Sequence, residues 1–226
     1  MKYLFILGRN PELSIAEIAS YLEARGNRVD NFWTKENSLL IDCEELNLSM
    51  IDDLGGTIAL GKVFESGNLA DIEKYLNQKE IYFGEEIKFT YSFLDFTDPG
   101  GEDILDLIKK KFKQERLKAL YREVRGVLKT QEGEEIAGTP SKLKTDVTYF
   151  LFQNNQEYSF GILQGVSDVK ESEKIDMNKP IRRESQAISP RLAKILINLS
   201  QVKEGQVLLD PFCGVGGIIQ EALKIG

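Results

Sequence analysis

The chain has 226 residues, 42% hydrophobic and 29% charged, with a formal net charge of −7. That length holds one large domain or two small ones, and the balance is that of a folded chain rather than a disordered one. There is no histidine, and Cys43 and Cys213 are the only cysteines, which excludes a Ser-His-Asp triad, a histidine-ligated metal, a cysteine-built zinc site and a disulfide framework.

Residues 2–7 read as a buried strand. The apolar run Tyr3 to Leu7 is shorter than the ~7–15-residue core of a signal peptide, and no run approaches the roughly 18 residues of a membrane span. A reducing, cytoplasmic setting without a membrane partner is therefore expected. Asn10 is placed as an N-cap and Pro11 as the first residue of a helix whose apolar positions are Ile15, Ile18, Ala19 and Leu22. Strands are predicted over 29–34 and 38–43 around Glu36-Asn37, a helix over 45–54, and a strand over 57–64 after Gly55-Gly56. This βαββαβ order predicts a ferredoxin-like unit over 1–66. A second α/β unit follows over 67–167. It has a helix at 69–77, an alternating strand Ile87, Phe89, Tyr91, Phe93, and a turn at Asp98-Pro99-Gly100-Gly101. Next come a helix striped by Ile104, Leu105, Ile108 and Phe112, then strands 146–152 and 158–166 across Asn154-Asn155. Residues 168–188 are polar, contain Pro180 and lack a clean period, as a linker would. From Ser189 an N-cap and Pro190 open a helix with Leu192, Ala193, Leu196 and Leu199 on its apolar face, and Val207-Leu208-Leu209 reads as a buried strand.

Charge is distributed unevenly. Between Lys109 and Lys129 there are nine Lys/Arg against two Glu. A basic stripe on an acidic chain suits a localised phosphate-binding surface. A solvated helix face, its lysines favoured by the helix dipole, would give the same pattern. Arg122, Arg125, Lys142, Lys144 and the adjacent pair Arg182-Arg183 are the candidate phosphate contacts, and Arg182-Arg183 could equally be solvated.

The chemistry is concentrated in Asp210-Pro211-Phe212-Cys213-Gly214-Val215-Gly216-Gly217, a glycine turn between the predicted strand and a closing helix. Ligands of open parallel sheets bind at such strand ends. Glycines let backbone approach a ligand closely, and a helix N-terminus favours an anionic group. The spacing is neither G-x-G-x-x-G with a distant acid nor a P-loop, since no Lys-Ser/Thr follows. An aspartate directly before the turn can accept from an amine. The combination suits a zwitterionic amino-acid ligand such as the methionine part of S-adenosylmethionine. Asp210, Pro211, Phe212, Gly214, Gly216 and Gly217 are the candidate cofactor residues. Cys213 reads as a small hydrophobe.

Residues 210–217 resemble motif I of class I methyltransferases that modify exocyclic amino groups of nucleic acids. Arg182-Arg183 with Ile188-Ser189-Pro190-Arg191-Leu192-Ala193, and the opening Leu7-Gly8-Arg9-Asn10-Pro11-Glu12-Leu13-Ser14, resemble the corresponding segments of the archaeal and eukaryotic tRNA guanosine-10 N2-methyltransferases. The resemblance implies an α+β chain: a ferredoxin-like domain (1–66), an RNA-binding THUMP domain (67–167), a linker (168–188), and the start of a Rossmann-like methyltransferase domain (189–226). It implies tRNA as partner, S-adenosylmethionine as cofactor and no metal.

The family's catalytic tetrapeptide, Asp/Asn-Pro-Pro-Tyr/Phe, occurs nowhere in the sequence. The acidic residue expected to hold the cofactor ribose is also absent. A single strand between two helices cannot make a doubly wound sheet, because both its edges lack partners. The expectation is the front part of a longer enzyme, short by roughly 100–150 residues on the usual domain scale, with no catalytic residue in the chain and no catalysis by it alone. Two alternatives stay open: a non-catalytic RNA-binding THUMP protein, and a DNA amino-methyltransferase.

Overall fold

The computed structural model describes residues 1–97, 101–124, 127–129, 135–137, 145–155, 157–167 and 188–225 (127–129 and 135–137 as backbone). The turn expected at 98–100 and the linker residues 168–187 lie outside them.

Strand β1 (Lys2–Leu7) sits near the middle of a mixed sheet, which is why five consecutive apolar residues are buried. Tyr3, Phe5 and Leu7 pack on one face, and Leu4 and Ile6 on the other. Helix α1 (Pro11–Ala24) follows with Pro11 in its first turn, and Asn10 makes no side-chain cap. Its inward face is Ser14, Glu17, Ile18, Tyr21 and Leu22, and Ala19 is exposed, so the predicted stripe is rotated. Strands β2 (Val29–Lys35) and β3 (Ser38–Cys43) are joined by Glu36, which takes the left-handed φ of 51°. The helix expected over 45–54 is a short 3₁₀ turn at Leu48–Asp52, capped by Asn47 accepting from Ser49 N–H. Glu17 then captures the N–H groups of Gly55 and Gly56, and the chain turns away instead of extending a helix.

Strand β4 (Thr57–Gly67) is eleven residues long and serves two neighbours. Its first half pairs antiparallel with β1, and Ala59 to Gly67 pairs antiparallel with β10 (Tyr158–Val166). Between them lie helix α2 (Leu69–Gln78), closed by a reciprocal Asn68–Asp71 capping box, β5 (Lys88–Phe96), helix α3 (Gly101–Gln114), β6 (Lys118–Tyr121) and β9 (Val147–Gln153). The pair β7 (Val127–Lys129) and β8 (Glu135–Ala137) forms a separate two-stranded ladder. Strands β5 and β6 run parallel through α3, the kind of crossover that a parallel pair requires.

The strand order is β2-β3-β1-β4-β10-β9-β5-β6, eight strands in one sheet. Helix α1 and the 3₁₀ turn cover one end of a face, over Phe5, Leu39, Ile41 and Leu60. Helices α2 and α3 cover another part, over Phe89, Tyr91, Tyr149 and Phe160. A third buried cluster joins Leu4, Ile6 and Leu40 to Leu94, Phe96, Phe150 and Phe152. There Phe150 fills space that a Cβ on Gly61 or Gly161 would need, at 2.6 and 2.5 Å. Helix α4 (Pro190–Leu199) lies outside the sheet against α1, and helix α5 (Gly217–Ile225) packs on α4.

Candidate functional site

The glycine turn lies between α4 and α5. Its aspartate folds back on the chain, Phe212 N–H donating to Asp210 Oδ1 at 3.0 Å. Gly216 N–H donates to Cys213 O at 2.7 Å, which closes the turn. Gly214 and Gly216 have φ of +53° and +78°, a region closed to most side chains. A Cβ on Gly216 would meet nothing within 4 Å, so that glycine serves the backbone twist rather than local crowding. Gly217, where α5 begins, abuts Ile188, and its virtual Cβ lies 3.1 Å from that side chain. The first N–H groups of α5 thus face the turn, and the dipole end is positive there.

The donor set fits the amino-acid end of S-adenosylmethionine. The Asp210 carboxylate can accept from an ammonium, the α5 N-terminus can receive a carboxylate, and the two glycines leave the approach open. Phe212 projects into solvent at 92% exposure beside it. Residues 207–209 form no strand, contrary to expectation, and Val207 and Leu209 are 92% and 82% exposed. A strand exists through its ladder partners, and among the described residues none runs beside 207–209.

Helix α4 is held from the other side. Ser189 caps it, accepting from Leu192 N–H at 3.2 Å. Its buried residues include Ala193, Ile195, Ile197 and Asn198, whereas Leu192 and Leu196 are 39% and 41% exposed. The predicted apolar stripe is thus split: Ala193 is buried, while Leu192 and Leu196 are exposed. The contact with α1 and the 52–56 turn joins apolar packing, Ile195 lying against Gly55, to a set of hydrogen bonds. Arg191 Nε donates to Gly55 O at 2.7 Å, Lys194 Nζ to Asp52 O, and Asn198 Nδ2 to Glu17 Oε1 at 2.8 Å and Asp53 O at 2.9 Å. Gln201 Nε2 reaches Glu23 at 2.7 Å. Glu17 is fully buried and also accepts from Gly55 N–H at 2.8 Å and Gly56 N–H at 2.7 Å. Burial raises its carboxyl above the ordinary glutamate value, against the lowering by these donors and by Arg191. Neither Glu17 nor Asn198 stood out in the sequence. The one local sign was the Gly55-Gly56 pair, and its partners lie 38 and 136 or more positions away.

Of the basic residues, Arg122 is described. Its side chain is exposed, while its backbone is fixed by Arg122 N–H to Tyr91 O at 2.8 Å and by Ser92 Oγ–H to Arg122 O at 2.7 Å. Lys110, Lys113, Arg116 and Lys118 are exposed on and after α3. Lys109 pairs with Asp106 at 2.8 Å and lies 5.7 Å from the Tyr121 ring, and Lys111 pairs with Glu115 at 2.8 Å. Arg125, Lys142, Lys144, Arg182 and Arg183 lie outside the described residues. Among the described residues there is no grouping of three or more Cys, Asp or Glu suited to a metal, and no helix is long and apolar enough to cross a membrane.

Residues 180–226 match the family described as RMKL-like, methyltransferase domain. The chain is 30% identical over 164 residues to the tRNA (guanine(10)-N2)-dimethyltransferase of Methanocaldococcus jannaschii, covering 67% of this chain and 46% of that protein. It is 55% identical over 40 residues to the protein of that name from Methanothermobacter thermautotrophicus, covering 18% of this chain and 12% of the other. The matches thus span less than half the length of these relatives. Among solved structures, TrmN from Thermus thermophilus superimposes with a TM-score of 0.56 at 14% identity, over 100% of this chain and 62% of that one. At that identity the likeness is one of fold: a mixed α/β architecture around a large sheet. The chain is a homologue of proteins named tRNA (guanine(10)-N2)-dimethyltransferase, and its C-terminal segment is similar to a methyltransferase domain.

Proposed function

We propose that this chain is the tRNA-holding portion and cofactor turn of an S-adenosylmethionine-dependent tRNA guanine-N2 methyltransferase. The observation that carries this reading is the Asp210–Gly217 turn, which opens a helix inside the segment similar to a methyltransferase domain. The alignment with the Methanocaldococcus jannaschii protein supports it. In this reading 1–66 is a ferredoxin-like domain, 67–167 a THUMP domain, 168–188 a linker and 189–226 the start of the methyltransferase domain. Helix α4, though counted with the last of these, is fastened to the first.

S-adenosylmethionine, when bound, supplies an electrophilic methyl group on a sulfonium. Asp210 accepts from its ammonium, Gly214, Gly216 and Gly217 let the backbone close on its amino-acid end, and Pro211 and Phe212 shape the turn's outer wall. Arg122 and the exposed lysines of α3 hold tRNA phosphates, and Arg125, Lys142, Lys144, Arg182 and Arg183 are the further phosphate contacts of this reading. The acceptors that would orient the guanine amino group come from an Asp/Asn-Pro-Pro-Tyr/Phe element outside these 226 residues, so this stretch alone does not transfer methyl groups.

Binding of unmodified tRNA at about 50 and 200 mM salt tests the reading. A protein neutralising several phosphates loses on the order of 10³-fold in affinity across that range. Lys110→Glu, Lys113→Glu and Arg122→Glu together should flatten the salt slope and abolish most binding, with the far-UV spectrum unchanged. Calorimetry with S-adenosylmethionine is run alongside, with Asp210→Ala as control. S-adenosylmethionine binding without any tRNA binding would overturn the RNA reading in favour of a small-molecule or protein methyltransferase.

A further inference from the structure

We infer that Glu17 is a positioning residue: it locks α4 to α1 and the 52–56 turn, and so fixes where the glycine turn is carried relative to the sheet. The residues of α4 that reach inward are 191, 194 and 198, with Gln201 just beyond. They fall at steps of three, four and three, one face of a helix. Each of these four makes a hydrogen bond to the N-terminal unit, Ile195 packs on Gly55 beside them, and the apolar Leu192 and Leu196 are exposed.

A greasy helix face can slide, because hydrophobic contact is non-directional. A hydrogen-bonded face has one register. Here the register is set from both directions. The Glu17 carboxylate ties together Gly55 N–H, Gly56 N–H and the Asn198 amide, and the Asn198 amide also reaches Asp53 O. Arg191 closes the other side on Gly55 O. There is no slack: a Cβ on Gly55 would lie 2.0 Å from Arg191 O, so the turn and helix backbones touch. Ser14 Oγ, one turn before Glu17, lies 2.9 Å from Gly56 O and holds the turn to α1 as well.

Helix α5 packs on α4, and Gly217 abuts Ile188, the residue just before the Ser189 cap. The glycine turn is therefore referenced to α4 at its C-terminal end, and α4 is referenced to the sheet through Glu17. A joint that would otherwise be free between an RNA-holding unit and a cofactor turn becomes fixed. Its consequence for methyl transfer rests on the function proposed above, but the lock itself does not, and the following test needs neither RNA nor cofactor.

Amide hydrogen exchange is followed in the full chain and in Glu17→Gln. The glutamine keeps the shape but places an NH₂ group against donors, so at least one bond to a charged acceptor is lost. Amides of 190–199 are expected to exchange roughly 10- to 100-fold faster, while those of β1, β3 and β4 keep their protection. Asn198→Ala removes the α4 partner of Glu17 while leaving the Glu17 bonds to Gly55 and Gly56 in place, and covers the case in which Glu17→Gln does not fold. Spin labels on exposed Cys213 and on Thr34→Cys give the second readout. The distance distribution should be narrow in the parent and clearly broader in Asn198→Ala. Unchanged α4 exchange, an equally broad parent distribution, or loosening of β1, β3 and β4 to the same degree would each overturn the assignment.

Discussion

Cys43 and Cys213 carry the same side chain into opposite circumstances. Cys43 closes β3 beneath the 3₁₀ turn, and burial pushes its thiol up to about 11. Cys213 sits in the glycine turn and is exposed. An aromatic disulfide reagent at neutral pH should therefore titrate one thiol rapidly and the second only on denaturation. Cys213→Ser should abolish the fast phase and leave the slow one. Two fast thiols would show that β3 does not seal Cys43. Asp146 gives a residue-scale pH dependence. Its carboxylate accepts from Thr90 N–H at 2.6 Å and Thr90 Oγ–H at 2.8 Å, which holds its pKa below the ordinary aspartate value. A depressed carboxyl contributes stability that is complete above the unfolded value, about 4, and is lost as pH falls through the folded one. Asp146→Asn should therefore be less stable than the parent at pH 7. The difference should shrink as acid is added, which thermal melts across that range would show. A gap that stays constant or widens in acid would contradict the bond pattern.

At the scale of elements, what could be read in advance was what neighbours in sequence decide. The run Tyr3 to Leu7, Pro11 at a helix start, Glu36-Asn37 as a reversal and Ser189-Pro190 as a helix opening all appear where local chemistry put them. The alternation in β5 held for Phe89, Tyr91 and Phe93 and stopped at Ile87, which is 63% exposed just before the strand. What could not be read was which partner each element would meet. Leu192, Leu196 and Leu199 have a sound helical period, but the face that docks is chosen by Glu17, Asp52, Asp53 and Gly55, all more than 130 positions earlier. Val207 to Leu209 has the composition of a strand, and composition supplies no neighbour. The backbone of the glycine turn was legible, because two left-handed glycines and the helix start at Gly217 are properties of consecutive residues. The basic surface was legible as charge, but not in its presentation: Arg122 is held by Tyr91 and Ser92 of β5, a strand whose parallel pairing with β6 no local pattern announces.

For the whole molecule, the decisive fact is that two sequence-level units share one sheet. Strand β4 pairs with β1 on one side and β10 on the other, so no sheet edge separates residues 1–66 from 67–167. The third cluster spans the same division, with Leu4 and Leu40 from one side and Phe96 and Phe150 from the other. Unfolding either part would strip a ladder partner from the other. Heating should therefore give coincident transitions for Trp33, the sole tryptophan, which sits on β2, and for the near-ultraviolet ellipticity of the tyrosines around α3. Two separated midpoints would mean that β4 and β10 part before either unit melts.

The Phe150 ring touches the places where two side chains would grow, on Gly61 of β4 and Gly161 of β10. The obstacles differ in degree. At Gly61 the carbonyl of Ile162 stands 2.8 Å away beside the ring, whereas at Gly161 the carbonyl of Lys62 stands 2.2 Å away, and a backbone atom cannot be trimmed by substitution. Positions 61, 150 and 161 are thus coupled at the seam. A lineage that shrinks Phe150 gains some room at Gly61 and almost none at Gly161, and one that has enlarged Gly61 can no longer restore the ring. The order in which those three positions change is constrained before any question of activity arises, and the seam between the two units is where such a history would be written.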